Sequence, residues 1–424
     1  MSSSSRRAVV TGLGILNPLG PDVTSFWEAL RAGKSGVRTI QNFDPSSLPT
    51  RFAGELVNFD AKRYIDKKDR RQLKMMARSI ELAVAGAQLA LDDGRVDKAK
   101  LDRTRFGIEF GAGLIATELD ELAEAARVSS NCQPGVVDIE KWGEQGISNI
   151  QPLWMLKYLP NMLACQVSIL HDAQGPNNSV TEGDVGSLLA LGEACRILRR
   201  DQADFFLVGG AVSTVNRLSM VRQCLLGRLS RRNDDPAGAC RPFDQARDGV
   251  VLGEGAGVLV VEDLEHARRR GARIYAEVVG CGAAFDRDRS GKGLARAMRA
   301  ALHQAGLTPA DMDHVNAHGL GSPEADAWEG RALRAVFGPD MPVLAVKSAF
   351  GNLGAGSGLT ELAASVLGLY HGTVPATLNY RQPDPNCPVN VLREPQAARK
   401  PHFLKLGFTE MGQCAAVVVR RWED

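Results

Sequence analysis

The 424-residue chain is 44 % apolar and 24 % charged, with a formal net charge of +2. That length suits two to three domains or one large two-lobed unit. The near-neutral balance argues against a nucleic-acid binder, and no apolar run reaches the roughly 18 residues of a membrane span.

The start, Met1-Ser2-Ser3-Ser4-Ser5-Arg6-Arg7, has no long apolar region after it and reads as a ragged end rather than a signal peptide. Residues 8–12 are then a buried strand running into a glycine turn, and Ser25–Ala32 reads as a helix with Phe26, Ala29 and Leu30 on one face. Residues 43–58 are loop-like around Pro45 and Pro49. The basic run Lys67-Lys68-Asp69-Arg70-Arg71-Gln72-Leu73-Lys74 leads into a long helix from Met75 to Leu91. Phe106–Gly113 is a strand ending in glycines, 119–128 is helical, 129–150 is an irregular surface excursion, and 160–171 is a buried helix.

Next comes Gly175-Pro176-Asn177-Asn178-Ser179-Val180-Thr181-Glu182-Gly183-Asp184-Val185-Gly186-Ser187, a strand, a tight turn and the start of an apolar helix reaching about Arg200. Such an elbow displays one side chain at a helix N-terminus, where many enzymes place a Ser or Cys nucleophile. Here the displayed residue is Asp184.

A strand to a glycine turn follows at 204–210, then a polar stretch at 228–249. Val250–Glu262 is glycine-rich and enters a strand, the reverse of the order a dinucleotide loop needs. Helices are expected at 265–271, 293–306 and 360–369. Strands are expected at 274–280, ending near 319, at 344, at 403–408 and at 415–421. Strands alternating with helices throughout give an α/β architecture, and their rhythm fits a duplicated βαβαβ core. The eight cysteines form no CxxC pair and fit no zinc spacing, so a reduced, cytoplasmic setting with no metal is expected.

Several colinear stretches resemble the β-ketoacyl-acyl carrier protein synthases, in their elongating branch. These are Arg7-Ala8-Val9-Val10-Thr11-Gly12-Leu13-Gly14, Asn17-Pro18-Leu19-Gly20, Arg241-Pro242-Phe243-Asp244, Gly253-Glu254-Gly255-Ala256-Gly257, Asn316-Ala317-His318-Gly319 and Val346-Lys347-Ser348. The resemblance covers essentially the whole chain. It implies a thiolase fold, two βαβαβ halves in a layered αβαβα core, divided here as 1–260 and 261–424. It implies no bound cofactor, acyl chains delivered on the phosphopantetheine arm of an acyl carrier protein, and a homodimer or a heterodimer with an active ketosynthase.

In that family a Cys at the elbow takes the acyl chain as a thioester. Its N–H and that of a C-terminal Phe form the oxyanion hole, and two histidines, a Lys and a Glu serve the decarboxylative condensation. Carried over, the resemblance places Asp184 at the Cys position, His318 at the first histidine, Asn352 at the second, Lys347 at the lysine, Glu361 at the glutamate and Phe408 at the closing Phe. Asp326 and Glu329 match acids that follow the first histidine. Thr409-Glu410-Met411-Gly412 replaces the family's flexible Gly-Gly-Thr-Asn.

Three roles stand open for Asp184: a helix N-cap, a carboxylate filling the oxyanion hole, or a new general base with Glu182, His318 and Glu410 around it. His318 is either a satisfied core histidine or a catalyst, and Lys347 with Glu361 fits a structural ion pair. The basic run reads as a solvated helix start, or, by resemblance, as a carrier-protein dock of Lys67, Lys68, Arg70, Arg71 and Lys74 with Arg232. The expected function is a ketosynthase-like partner of fatty-acid or polyketide synthesis that does not condense, as chain-length factors do not. The alternative is an enzyme of altered acyl-thioester chemistry, a decarboxylase, hydrolase or aldol-type catalyst, built on Asp184 and His318.

Overall fold

The computed structural model describes residues 6–131 and 133–423. The start Met1–Ser5, Cys132 of the surface excursion and Asp424 lie outside the described residues.

Eleven strands join one mixed sheet. The first five are β1 (Ala8–Leu16), β2 (Phe106–Gly111), β3 (Asn177–Val180), β4 (Phe205–Ser213) and β5 (Glu254–Asp263). The others are β6 (Ala276–Phe285), β7 (Met312–Asn316), β8 (Pro342–Leu344), β9 (Asn390–Val391), β10 (His402–Phe408) and β11 (Gln413–Arg421). Their order is β9-β8-β7-β10-β11-β6-β1-β5-β4-β2-β3. The duplication is legible in that order. β3, β2 and β4 run parallel and continue antiparallel into β5 and β1; β8, β7 and β10 run parallel and continue antiparallel into β11 and β6. The two sets meet where β1 pairs with β6, Ala8 opposite Val278 and Val10 opposite Ala276.

Seven helices build the layers: α1 (Val23–Arg31), α2 (Arg78–Asp93), α3 (Met162–His171), α4 (Gly186–Arg199), α5 (Lys292–Ala305), α6 (Pro323–Phe337) and α7 (Ser357–Tyr370). α2 covers β1, β4 and β5; α5 covers β6 and β11, with α6 against it. α4 and α7 lie between the two halves of the sheet, each touching strands of both. Every residue of α7 from Ser357 to Leu369 is buried, as expected of a helix with apolar residues on all sides. Leu188, Leu191, Leu359, Leu362 and Val366 of these two helices share one apolar cluster with Phe206 and Val417 of the sheet. No helix among the described residues is long and apolar enough to cross a membrane.

Several expected boundaries shift. β1 does not turn at Gly12 but continues to Leu16. Its glycines are needed for packing instead: a Cβ on Gly12 would lie 2.3 Å from the Ala90 carbonyl of α2, and one on Gly14 1.9 Å from the Gly86 carbonyl. The basic run does not begin a long helix. Arg70–Met75 is a 3-10 helix, and α2 starts only at Arg78. The helix expected at 119–128 is a 3-10 turn followed by an α-helix at Ala123–Ser129, and the irregular excursion contains short helical turns, including a π-turn at Trp142–Gly146.

The elbow depends on one close approach. A Cβ on Gly111, at the end of β2, would sit 2.1 Å from the Ser187 amide at the start of α4. Overpacking in a rigid core costs about 1–3 kcal/mol and sometimes more. The obstacle here is backbone, so Gly111→Ala is expected to destabilise the fold by about 3 kcal/mol or more. Denaturant unfolding measures this; a loss under about 1 kcal/mol would mean that the strand and the elbow are not rigidly coupled.

Candidate active site

β3 ends at Val180, and the chain reverses through Gly183, whose φ of +50° a side chain would resist. A 3-10 turn, Gly183–Val185, feeds α4. Val185 and Gly186 are buried, whereas the Asp184 side chain is 23 % exposed. Asp184 does not cap α4: neither the 3-10 turn nor the helix has a side-chain capping bond. The carboxylate is turned instead toward the ends of other elements.

The Asn352 amide nitrogen lies 3.4 Å from both Asp184 oxygens. Its orientation is fixed from behind, because Ser357 Oγ donates to Asn352 Oδ1 at 2.9 Å and the Gly354 N–H donates to the same oxygen at 3.3 Å. His318, just beyond β7, places Nε2 3.8 Å from Asp184 Oδ2. On its other side, His318 Nδ1 meets Lys347 Nζ at 3.0 Å. The same ammonium donates to the His318 carbonyl at 2.9 Å and to Glu361 Oε1 at 2.5 Å. An ammonium only donates, so Nδ1 accepts, and the proton of the neutral ring sits on Nε2, facing Asp184.

Glu361 is shared. Its second oxygen takes the ammonium of Lys405, which also donates to Asn316 Oδ1 at 3.2 Å and to the Ala317 carbonyl at 2.8 Å. Burial pulls the Lys405 ammonium down to about 8 despite that carboxylate. Burial, then the charges of Lys347 and Lys405, hold the His318 imidazole well below the usual histidine range. Burial pushes the Asp184 carboxyl up, while Lys347 and the Asn352 amide pull the other way. The two facing groups are thus driven in opposite directions, His318 toward neutral and Asp184 toward protonated.

The backbone that holds His318 is itself pinned. Glu329 accepts the His318 N–H at 2.6 Å and the Gly319 N–H at 2.8 Å; Asp326 accepts the amides of Leu320, Gly321 and Phe243. Burial raises these acids to about 7 and about 6 respectively. The Phe408 ring lies between His318 and Trp328, each with its ring centroid 4.5 Å away.

Asp184, His318, Asn352, Lys347, Glu361 and Phe408 therefore come together. Glu182 contributes no hydrogen bond to the cluster. Glu410 is drawn to an ion pair with Arg228 and acts on Asp184 only through its charge. Lys67, Lys68, Arg70, Arg71 and Lys74 are all exposed, whereas Arg232 is partly buried and bonded to the Ala246 carbonyl. Sequence reasoning missed Lys405 and Ser357. Lys405 had a signal, a single cation between Leu404 and Leu406 in an apolar strand; Ser357 had none. Cys240 is buried, donates to the Lys347 carbonyl at 3.1 Å and is pushed up to about 12 by burial. Among the described residues no cluster of His, Cys, Asp and Glu is arranged to hold a metal.

Comparison with known proteins agrees with this geometry. Residues 5–267 match the beta-ketoacyl synthase N-terminal domain and residues 275–381 the beta-ketoacyl synthase C-terminal domain. The chain is 35 % identical over 407 residues to the 3-oxoacyl-[acyl-carrier-protein] synthase 2 of Vibrio cholerae serotype O1, covering 94 % of both proteins. It superposes on the ishigamide ketosynthase/chain length factor with a TM-score of 0.87 at 28 % identity, covering 99 % of this chain and 100 % of that one. A ketosynthase solved in complex with its type II polyketide acyl-carrier protein and bound to the hexaketide gives a TM-score of 0.85 at 26 % identity, covering 99 % and 100 %. The strand order, the buried Lys-Glu-His cluster and these matches over nearly the whole length agree: the chain belongs to the beta-ketoacyl synthase family.

Proposed function

We propose that this ketosynthase-family chain is a non-condensing subunit, of chain-length-factor type, that receives acyl chains on a carrier protein beside an active ketosynthase. The observation that carries this reading is the carboxylate at the elbow. Asp184 stands where the family's acyl-accepting Cys would be, and a carboxylate acylated there would be a mixed anhydride, too reactive to store a chain. Cys240, Cys387 and Cys414 are all buried and pushed up to about 12, away from thiolate chemistry.

In this reading Asp184 stands beside the oxyanion site, hydrogen-bonded to Asn352, and leaves the Phe408 amide of that site free. The Thr409 N–H bonds the Gln413 carbonyl at 2.9 Å, so the antiparallel alternation turns the Phe408 N–H away from β11. On the other side β10 leaves its pairing with β7 at Lys405 and Asn316, so the Phe408 N–H is open to an anionic oxygen. The exposed cations Lys67, Lys68, Arg70, Arg71 and Lys74, with Arg232, are the proposed dock for an acidic carrier protein, with the phosphopantetheine arm as substrate carrier. The outer edge of β3, exposed at Asn177 and Asn178, is the proposed site for a second copy or an active partner. A cytoplasmic setting belongs to the same proposal.

A second reading has its own observation. A carboxyl pushed up and an imidazole held neutral, 3.8 Å apart, are a pair from which general acid-base chemistry on an acyl thioester could be built. The two readings separate in one experiment. Incubated with malonyl- and acyl-carrier proteins and followed by intact-mass spectrometry, the wild type is expected to show no acyl adduct, no condensation product and no released acid or CO₂. Asp184→Cys is expected to gain an acyl adduct. Turnover by the wild type that Asp184→Asn abolishes would replace the first reading by the second.

Asp184 also predicts a pH dependence. Its pKa is raised on folding, so the native state binds the proton more tightly than the unfolded chain does. Its contribution to stability is therefore fully present below the ordinary carboxylate range and is lost as pH rises through the raised value. Asp184→Asn removes that loss. Thermal melts are expected to show the variant more stable than the wild type at pH 8 and little changed at pH 4; the opposite order would mean that Asp184 is held as a carboxylate.

A further inference from the structure

A cavity of about 1320 Å³ opens at the end of the molecule away from Asp184. It collects residues just before β1 and β6, the start of β10, the end of β11 and the C-terminal ends of α2 and α7. α7 measures the separation. Glu361 faces the buried site, Tyr370 lines the cavity, and nine residues at about 1.5 Å each place them about 14 Å apart along the axis.

Seven arginines and two carboxylates line this cavity. The charges are sorted by depth. Arg7 and Arg420 share the single carboxylate of Glu277; the two arginines are 39 % and 41 % exposed and the glutamate 8 %. Arg270 is held by Glu262, which is fully buried, and its guanidinium also donates to the Gly94 carbonyl at 2.9 Å. Arg273 is held by Asp93 at 2.7 Å, again with the cation the more exposed partner. In these pairs the anions lie inward and brace guanidiniums that are open to the solvent, whereas Arg421 pairs at 2.8 Å with Glu423, there the more exposed partner. Arg95 is exposed and has no carboxylate partner, and it stands at a φ of +49°, between this cavity and a neighbouring one of about 610 Å³ that it also lines with Arg270. One wall carries an aromatic ring: Arg7 and Arg268 place their guanidiniums 5.2 and 5.9 Å from the centre of the Trp422 indole.

We propose that this cavity is a binding site for a small anion carrying two or more phosphates, of the nucleotide or coenzyme A class. Guanidinium forks match phosphate oxygens two at a time, and forks already fixed by buried carboxylates lose little freedom when a ligand arrives. A single carboxylate or sulfate would engage only a fraction of the arginines. The concave shape encloses a small molecule, whereas an acidic protein would need a broad, open face.

The test is calorimetric titration of the full chain with tripolyphosphate, ATP and coenzyme A, at about 50 mM salt and again at a fourfold higher level. Saturable 1:1 binding of at least one is expected, weakening with salt. ATP and tripolyphosphate binding alike would assign the phosphate chain as the recognised group; coenzyme A binding best would assign the acyl-carrying coenzyme. Arg95→Ala with Arg421→Ala is expected to weaken binding at least about tenfold, while Arg217→Ala with Lys292→Ala, exposed cations that line neither cavity, leaves it unchanged. These positions are exposed or partly so, and circular dichroism of each variant verifies the fold. No saturable binding of any of the three, binding of apo carrier protein alone, or an equal loss in both variant pairs would overturn the proposal. None of these outcomes bears on Asp184, whose role is tested separately by acylation.

Discussion

Glu361 sits in the middle of the cluster, fully buried, with the ammonium of Lys347 on one carboxylate oxygen and that of Lys405 on the other. Two cations on one anion leave an excess positive charge in a region from which water is excluded, where electrostatic interactions are several times stronger than at the surface. Much of the site follows from that excess. It makes a proton on His318 Nδ1 unfavourable, because Lys347 already donates there. The imidazole is thereby held in one tautomer, with its hydrogen aimed at the elbow. The protons of both ammoniums are satisfied, Lys347 by His318 and Glu361 and Lys405 by Asn316, the Ala317 carbonyl and Glu361, whereas His318 Nε2 has no hydrogen-bond partner.

The elbow side chain meets this arrangement from the opposite side. Asp184 faces two donors, the imidazole Nε2–H and the Asn352 amide, at 3.8 and 3.4 Å, longer than optimal hydrogen bonds. The carboxyl is enclosed without being tightly held. Its removal from water pushes it toward the neutral form, and the nearby ammonium opposes this without reversing it. Asn352 suits such a neighbour. Its nitrogen can point only at Asp184, because its oxygen is occupied by Ser357 and Gly354.

The fold was legible because periodicity and glycine punctuation recur in both halves of the chain, so most strands lie within a few residues of where the residue pattern puts them. The errors have physical causes. Gly12 and Gly14 punctuate a sequence, but in β1 they serve the approach of α2, a fact that only the packed helix reveals. The basic run promised a helix start, but its residues wind into a 3-10 turn with no buried face to bind them to α2. Lys347 and Glu361, both on helices, are separated by 14 positions and were joined by resemblance, whereas Lys405 comes from β10 and becomes their partner only through the packing of α7 on the sheet. The N-cap role for Asp184 was sound local chemistry. It yields here because the turn preceding α4 lifts the carboxylate away from the helix amides and toward His318.

The seam between β2 and α4 has a wider consequence. Its close contacts are made by Gly111, Gly186 and Ser187, and the groups that approach most closely are backbone atoms. Position 184 projects away from that seam and turns its side chain toward His318 and Asn352. The scaffold therefore treats the displayed residue as interchangeable: mutation there can alter chemistry while leaving the architecture intact. The backbone contacts that shape the elbow are thus made by other residues than the one it displays.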